Sequence, residues 1–241
     1  MVVPLLLGLQ IAGVMALDVL PEAREHPPAL DWLTRRTATP AQVLRNEEGT
    51  RLFLDNGLLR RTLLLLPGDA PSIATIGLDD LSASGDAWLR AVSPEAIVTL
   101  NGERLGVGGA PGQPNGAFVD PAWVQELESG GIVPEVSDRA FALVGVKSDP
   151  IGDLEIPWVK GAARHCAPDV AWPPPGTRLT LQFKSTSASR ARAEVDVHYA
   201  LFDGIPAYAK WLTVRNAGEA ELTIDSITPE TLRVVEHSSW V

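Results

Sequence analysis

Between residues 194 and 201 apolar and polar side chains alternate. Val195, Val197, Tyr199 and Leu201 fall on one parity; Glu194, Asp196 and His198 fall on the other. A period of two is what a strand shows when one face packs and the other meets water. The same pattern over 178–183, 191–202, 207–216, 221–227 and 231–235 predicts a meander of antiparallel strands after Pro175-Gly176. Upstream it predicts strands at 50–55, 58–66, 73–78, 87–92, 96–100, 104–107 and 141–147. Asn56-Gly57 and Asn101-Gly102 interrupt this run. Both pairs tolerate the positive φ of a type I′ hairpin turn, so both predict tight reversals.

Two segments carry no strand pattern. Residues 106–135 are rich in Gly and Pro, but Asp120-Pro121 supplies an N-cap and a first-turn proline, and Gly130-Gly131 supplies a stop. This predicts one short helix inside a loop insertion, with Trp123 and Leu127 on one face at i, i+4. Residues 148–176 form a longer irregular stretch with six prolines, together with Trp158 and Trp172. Ordered loops of that length are usually functional. At the other end, residues 1–16 are uncharged in their side chains and end Val14-Met15-Ala16. That predicts a cleaved export signal, too short to span a bilayer, and a secreted or periplasmic protein. Residues 17–41, with four prolines among charges, read as a linker or strap, and the domain proper is expected over 42–241.

Composition narrows the chemistry. Over 241 residues the formal net charge is -10, with no basic cluster. This argues against a nucleic-acid partner and against an anionic membrane surface, since nothing would neutralise phosphates. The single cysteine, Cys166, excludes an intrachain disulfide framework and any zinc site built from several thiolates.

No phosphate loop, His-Glu-x-x-His, Gly-x-Ser-x-Gly or Cys-x-x-Cys motif is present. Gly106-Val107-Gly108-Gly109 opens like a dinucleotide loop, but Pro111 stands where the third glycine is due. The four histidines are scattered without metal-ligand spacing, and no pair of carboxylates is singled out. The expectation is a chain with no catalytic residue, no cofactor and no metal of its own. Seven tryptophans are the one enrichment.

The segments NGLLRRTLLLLPGDAPSIATIGL (56–78) and YALFDGIPAYAKWLTVRNAGEAELTIDSITPETLRVVE (199–236) resemble the N-terminal β-supersandwich of clan D α-galactosidase-like hydrolases, especially glycoside hydrolase family 36. The resemblance spans about residues 42–236. It implies an all-β, antiparallel, galactose-mutarotase-like supersandwich. In that family the sandwich precedes a (β/α)8 barrel that carries the catalytic aspartates. No barrel pattern occurs in this sequence, so those aspartates have no counterparts here. The implied role is a non-catalytic accessory domain of an exported hydrolase, binding carbohydrate or supporting a barrel, with the chain a fragment or truncated form. A stand-alone carbohydrate-binding module and an aldose-epimerase-like enzyme using His165 or His198 are the alternatives. Of the loop tryptophans, Trp158 and Trp172, with Arg164 and His165 between them, and Trp123 in the helix are the expected contacts for a sugar or a partner. Aromatic faces stack on sugar rings, and a guanidinium donates to hydroxyls.

Overall fold

The computed structural model describes residues 20, 39–81, 87–132, 139–152 and 174–235. Within them the chain is an all-β antiparallel sandwich with one helix. The first sheet pairs β1 (Gln42–Arg45), β2 (Arg51–Asp55), β3 (Leu59–Leu66) and β4 (Ser72–Asp80) in chain order. The second runs β11-β10-β9-β8, from β8 (Phe141–Pro150), β9 (Gly176–Ser185), β10 (Ala193–Phe202) and β11 (Tyr208–Asn216). The alternation predicts β9, β10 and β11 in this order, but the expected meander does not continue through 221–235: β8 joins the sheet beside β9, and the last two expected strands pair elsewhere. Two small sheets complete the fold. One is β12-β6-β7, from β6 (Ala96–Leu100), β7 (Glu103–Val107) and β12 (Ile224–Thr228). The other pairs β5 (Leu89–Ala91) with β13 (Arg233–Val234). The helix α1 is Pro121–Glu128.

The main core lies between the two four-stranded sheets, where Leu52, Leu63 and Ile73 join Leu179, Leu181, Val195, Val197 and Tyr199. A second core fills the opposite face of the first sheet, where Leu64, Leu66 and Ala74 meet Trp123, Val124 and Leu127 of α1. The unbroken run Leu63-Leu64-Leu65-Leu66 follows from this. A strand covered on both faces has no wet parity, so alternation disappears. Asp120 caps α1, its Oδ1 accepting from the Ala122 amide at 2.9 Å. Arg51 on β2 then holds the helix end, with Nε and Nη2 donating to the two Glu128 carboxylate oxygens at 2.9 and 2.6 Å.

The two Asn-Gly pairs diverge. At Asn101-Gly102 φ is 50° and 77°, the left-handed pair that a type I′ turn needs. At Asn56-Gly57 only Gly57 is left-handed, with φ 77°. Asn56 is fully buried and acts through its side chain instead. Its Oδ1 accepts from the Leu58 and Leu59 amides, and its Nδ2 donates to the carbonyls of Phe202 and Ile205, each at 2.8 Å. The residue ties the β2–β3 turn to the β10–β11 turn, which no local pattern reveals. Sequence reading also passes over β1 and overextends β5, which pairs only over Leu89–Ala91.

Candidate functional site

On β3 the parity Leu59, Arg61, Leu63, Leu65 places an arginine among core-facing leucines. On β11 the parity Tyr208, Lys210, Leu212, Val214 does the same with a lysine. Both cations are nearly sealed, with side chains 2% and 4% exposed. A buried unpaired charge costs several kcal/mol, so each must find a carboxylate. Two loops supply them: Glu95, just before β6, and Glu230, between β12 and β13.

Arg61 Nη1 donates to Glu230 Oε2 at 2.8 Å and to the Tyr208 hydroxyl at 2.9 Å; Nη2 reaches Glu95 Oε2 at 3.4 Å, and Nε donates to Thr75 Oγ1 at 2.8 Å. Lys210 Nζ donates to Glu230 Oε1 at 3.0 Å and to the Glu95 backbone carbonyl. Glu95 accepts from the Thr75 amide at 2.6 Å, from Thr75 Oγ1 at 3.0 Å and from the Tyr199 hydroxyl. The Arg61 guanidinium also lies 4.6 Å from the Tyr199 ring centre. Two positive and two negative charges balance, and the cluster joins β3, β4, β10 and β11 to the loops leading into β6 and β13.

The environment shifts these groups in coherent directions. Burial alone would raise the Glu95 carboxyl, but Arg61, then Lys210, and the bonds from Tyr199 and Thr75 hold it below the ordinary glutamate value. Burial pushes the Tyr199 phenol well above its usual value, and Glu95 and Glu230 add to the rise against Arg61. Burial draws the Lys210 ammonium down; Glu95 resists this and Arg61 adds to it. At neutral pH Glu95 is therefore ionised and Tyr199 protonated. The cluster is an internal electrostatic rivet, reached by water only at Glu230 and Tyr208, rather than an open acid/base pair.

What the rivet holds is the C-terminal side of the sandwich. Every residue of β12 and β13 is exposed. Ile224, Ile227, Val234 and Val235 are 45 to 50% exposed, and Trp88 is 39% exposed. The Val235 amide donates to the Trp88 carbonyl at 2.8 Å, so the last strand runs beside Trp88. Next to them a cleft of about 490 Å³ is lined by Ile76, Leu89, Phe118, Val119, Val124 and Val235, together with Arg51 and Asp79. Single exposed apolar residues are ordinary, but a groove bordered by this many on adjoining segments is a surface suited to contact.

The outward parity of β9, β10 and β11 is polar and ordered. His198 is hydrogen-bonded to Thr180 through Nδ1 at 3.0 Å and to Thr213 through Nε2 at 2.9 Å, and it stacks on Trp211 with ring centres 5.0 Å apart. Arg215 donates to Asp196 on the same parity. With both ring nitrogens engaged by hydroxyls and 5% of its surface exposed, His198 serves here as a cross-strand packing group.

The expected contact residues separate. Trp158, Arg164, His165 and Trp172 lie outside the described residues, as does Cys166. Trp123 is in the second core at 4% exposure, its indole N–H donating to the Pro111 carbonyl at 3.1 Å. The helix turns its Trp123/Leu127 face onto β3, so that ring is placed in packing rather than on a contact surface. Among the described residues no group of three or more His, Cys, Asp or Glu is placed to hold a metal ion, and no helix is long and apolar enough to cross a membrane. Sequence reading missed the rivet. The parity of Arg61 and Lys210 could have signalled it, since a core-facing cation requires a buried carboxylate, but Glu95 and Glu230 sit in loops where parity carries nothing.

Comparisons of the chain with known protein families, with characterised proteins and with solved structures return no match.

Proposed function

We propose that this chain is a non-catalytic accessory β-sandwich of an exported α-galactosidase-like glycoside hydrolase, and that it docks a (β/α)8 catalytic barrel through its C-terminal strands. The observation that carries the reading is the apolar groove beside Trp88, Phe118 and Val235, together with the uncovered apolar side chains of β12 and β13. These strands close the sandwich at the end from which a following barrel would continue in the family that the sequence resembles. The buried charges support the reading in a second way. Arg61, Lys210, Glu95 and Glu230 are spent on one another, which suits a supporting domain better than a hydrolytic centre, where two carboxylates must face a substrate. The apolar leader over 1–16 belongs to the same reading, with the mature chain starting at Leu17 outside the cytoplasm.

The test begins with the transcript that encodes the chain, from which the barrel-coding segment is expressed separately and titrated with the sandwich in sedimentation experiments. A one-to-one complex is expected, weakened at least about tenfold by Ile227→Asp with Val234→Asp, because each buries a charge in an apolar contact. A transcript without a barrel-coding segment, or a complex indifferent to both substitutions, overturns the proposal.

A further inference from the structure

Asn101-Gly102, at the tip of the β6–β7 hairpin, combines a reactive dipeptide with groups that suit its chemistry. The carboxamide of an asparagine carries an electrophilic carbon, and a following glycine leaves the next backbone nitrogen without a side chain to shield it. Asn101 and Gly102 are both exposed, and a Cβ built on Gly102 would meet nothing within 4 Å. The hairpin tip is clasped to the start of β12. The Asn101 amide donates to the Thr223 carbonyl at 3.0 Å, the Thr223 amide donates to Asn101 Oδ1 at 2.9 Å, and the Gly102 amide donates to Asp225 Oδ2 at 2.7 Å.

Two of these bonds suit an attack by the Gly102 nitrogen on the Asn101 side chain. The Asp225 carboxylate is placed to take the Gly102 proton, and the Thr223 N–H draws charge from Asn101 Cγ and meets the negative charge that develops on Oδ1. The chain contains two other Asn-Gly pairs, at 56–57 and 115–116. At the first, the Gly57 amide also donates to a carboxylate, Asp55 Oδ1, at 2.7 Å, but Asn56 is fully buried. Its Nδ2, the group that would leave, is held by the carbonyls of Phe202 and Ile205. At the second, Asn115 Oδ1 accepts from the Ala117 and Phe118 amides at 2.8 and 3.2 Å, and no described carboxylate accepts from the Gly116 amide. Among the three pairs, exposure, base and donor coincide only at Asn101.

We propose that Asn101 is a site of self-modification, at which the Gly102 nitrogen displaces ammonia from the side chain and closes a succinimide. Asp225 takes the Gly102 proton, the bond from nitrogen to Cγ forms, and the bond from Cγ to Nδ2 breaks as Nδ2 leaves with that proton as ammonia. Water then opens the ring at either carbonyl, giving aspartate or isoaspartate, with no change of oxidation state. Either product adds a negative charge beside Asp225, and isoaspartate also routes the main chain through an extra methylene, so the change loosens the clasp on β12. This chemistry is local to the hairpin and independent of barrel docking. Incubation of the full chain in mildly alkaline buffer, followed by peptide mapping with mass spectrometry and isoaspartate detection, tests it. Asn101 is expected to convert about tenfold faster than Asn115 in the same sample. Asp225→Asn, at an exposed strand position, keeps an acceptor for the Gly102 amide but removes the base; it is expected to slow Asn101 about tenfold and leave Asn115 unchanged. In urea, where the clasp is lost, the advantage of Asn101 over Asn115 is expected to vanish. An intact Asn101, a rate no greater than that of Asn115, an unchanged rate in Asp225→Asn, or an advantage that persists in urea overturns the proposal.

Discussion

Replacing Glu95 by Gln tests the charge balance of the rivet with almost no change of shape. The carboxylate is fully buried and faces two cations, Arg61 at 3.4 Å and Lys210 at 3.9 Å. After the substitution Glu230 alone must serve both, and one net positive charge stays inside the sandwich. The new amide also turns N–H groups toward the Arg61 N–H or the Thr75 amide, whichever way it is set. Breaking a buried pair by removing one partner costs about 3–5 kcal/mol, a fifth or more of the roughly 5–15 kcal/mol that typically holds a domain. Urea unfolding followed by tryptophan fluorescence should show a lower midpoint at unchanged slope. Adding Lys210→Met to Glu95→Gln restores the balance, leaving Arg61 paired with Glu230 at 2.8 Å. The double variant should therefore lose clearly less than the sum of the single losses. Glu95→Gln should also flatten the acid limb. The folded pKa of Glu95 is depressed, so its contribution is present above the ordinary value of 4.5 and is lost as pH falls from there through the lower folded value. The limb that remains comes in part from Glu128, which is held low chiefly by its hydrogen bond from Arg51. A loss below about 1 kcal/mol, or strictly additive effects with Lys210→Met, would refute the reasoning.

Trp123→Ala should destabilise the protein by about 3–5 kcal/mol in the same urea assay, because it empties the centre of the second core; a loss under 1 kcal/mol would return Trp123 to the surface. Stability should fall as pH rises above about 10.5. Tyr199 and Tyr208 are held protonated in the fold while the unfolded phenols ionise near 10, each contributing a slope of up to about 1.4 kcal/mol per pH unit, and the opposing rise from Lys210, whose folded value is lowered, dies away as pH passes its ordinary value of 10.5. Tyr199→Phe should make that slope shallower, and an unchanged slope in alkaline urea titrations would count against a sealed phenol.

How much of this was legible depended on whether the signal was local. Strands β9, β10 and β11 were readable because apolar and polar residues alternate along them, although β10 buries both parities where a wet face is expected and β12 and β13 leave for other sheets; Asp120-Pro121 marked α1 because caps are short-range chemistry. Asn101-Gly102 formed its turn for the same reason. Asn56-Gly57 also reverses the chain between β2 and β3, but not as a type I′ pair: only Gly57 is left-handed, and the Asn56 amide is engaged with Phe202 and Ile205, about 150 residues away. Trp123 could be placed on a helix face, but sequence does not tell which sheet receives that face. Glu95 and Glu230 lie on irregular segments whose partners are fixed only when the sheets meet.

The same long-range charges bear on why β12 and β13 hold a defined place although neither buries a residue. Strands without covered faces gain little from hydrophobic burial, and a two-residue pairing such as β13 with β5 is marginal by itself. Glu230 lies in the link between them and reaches inward to Arg61 and Lys210, so displacing that link would strand two buried cations. The cost of that displacement falls on the core, while the apolar side chains of the two strands remain free to meet another surface. In Glu230→Gln the C-terminal strands should lose amide protection in hydrogen exchange before β3 or β10 does. Uniform loss across all strands would show instead that the rivet stabilises the sandwich as a whole and does not specifically orient its C-terminal face.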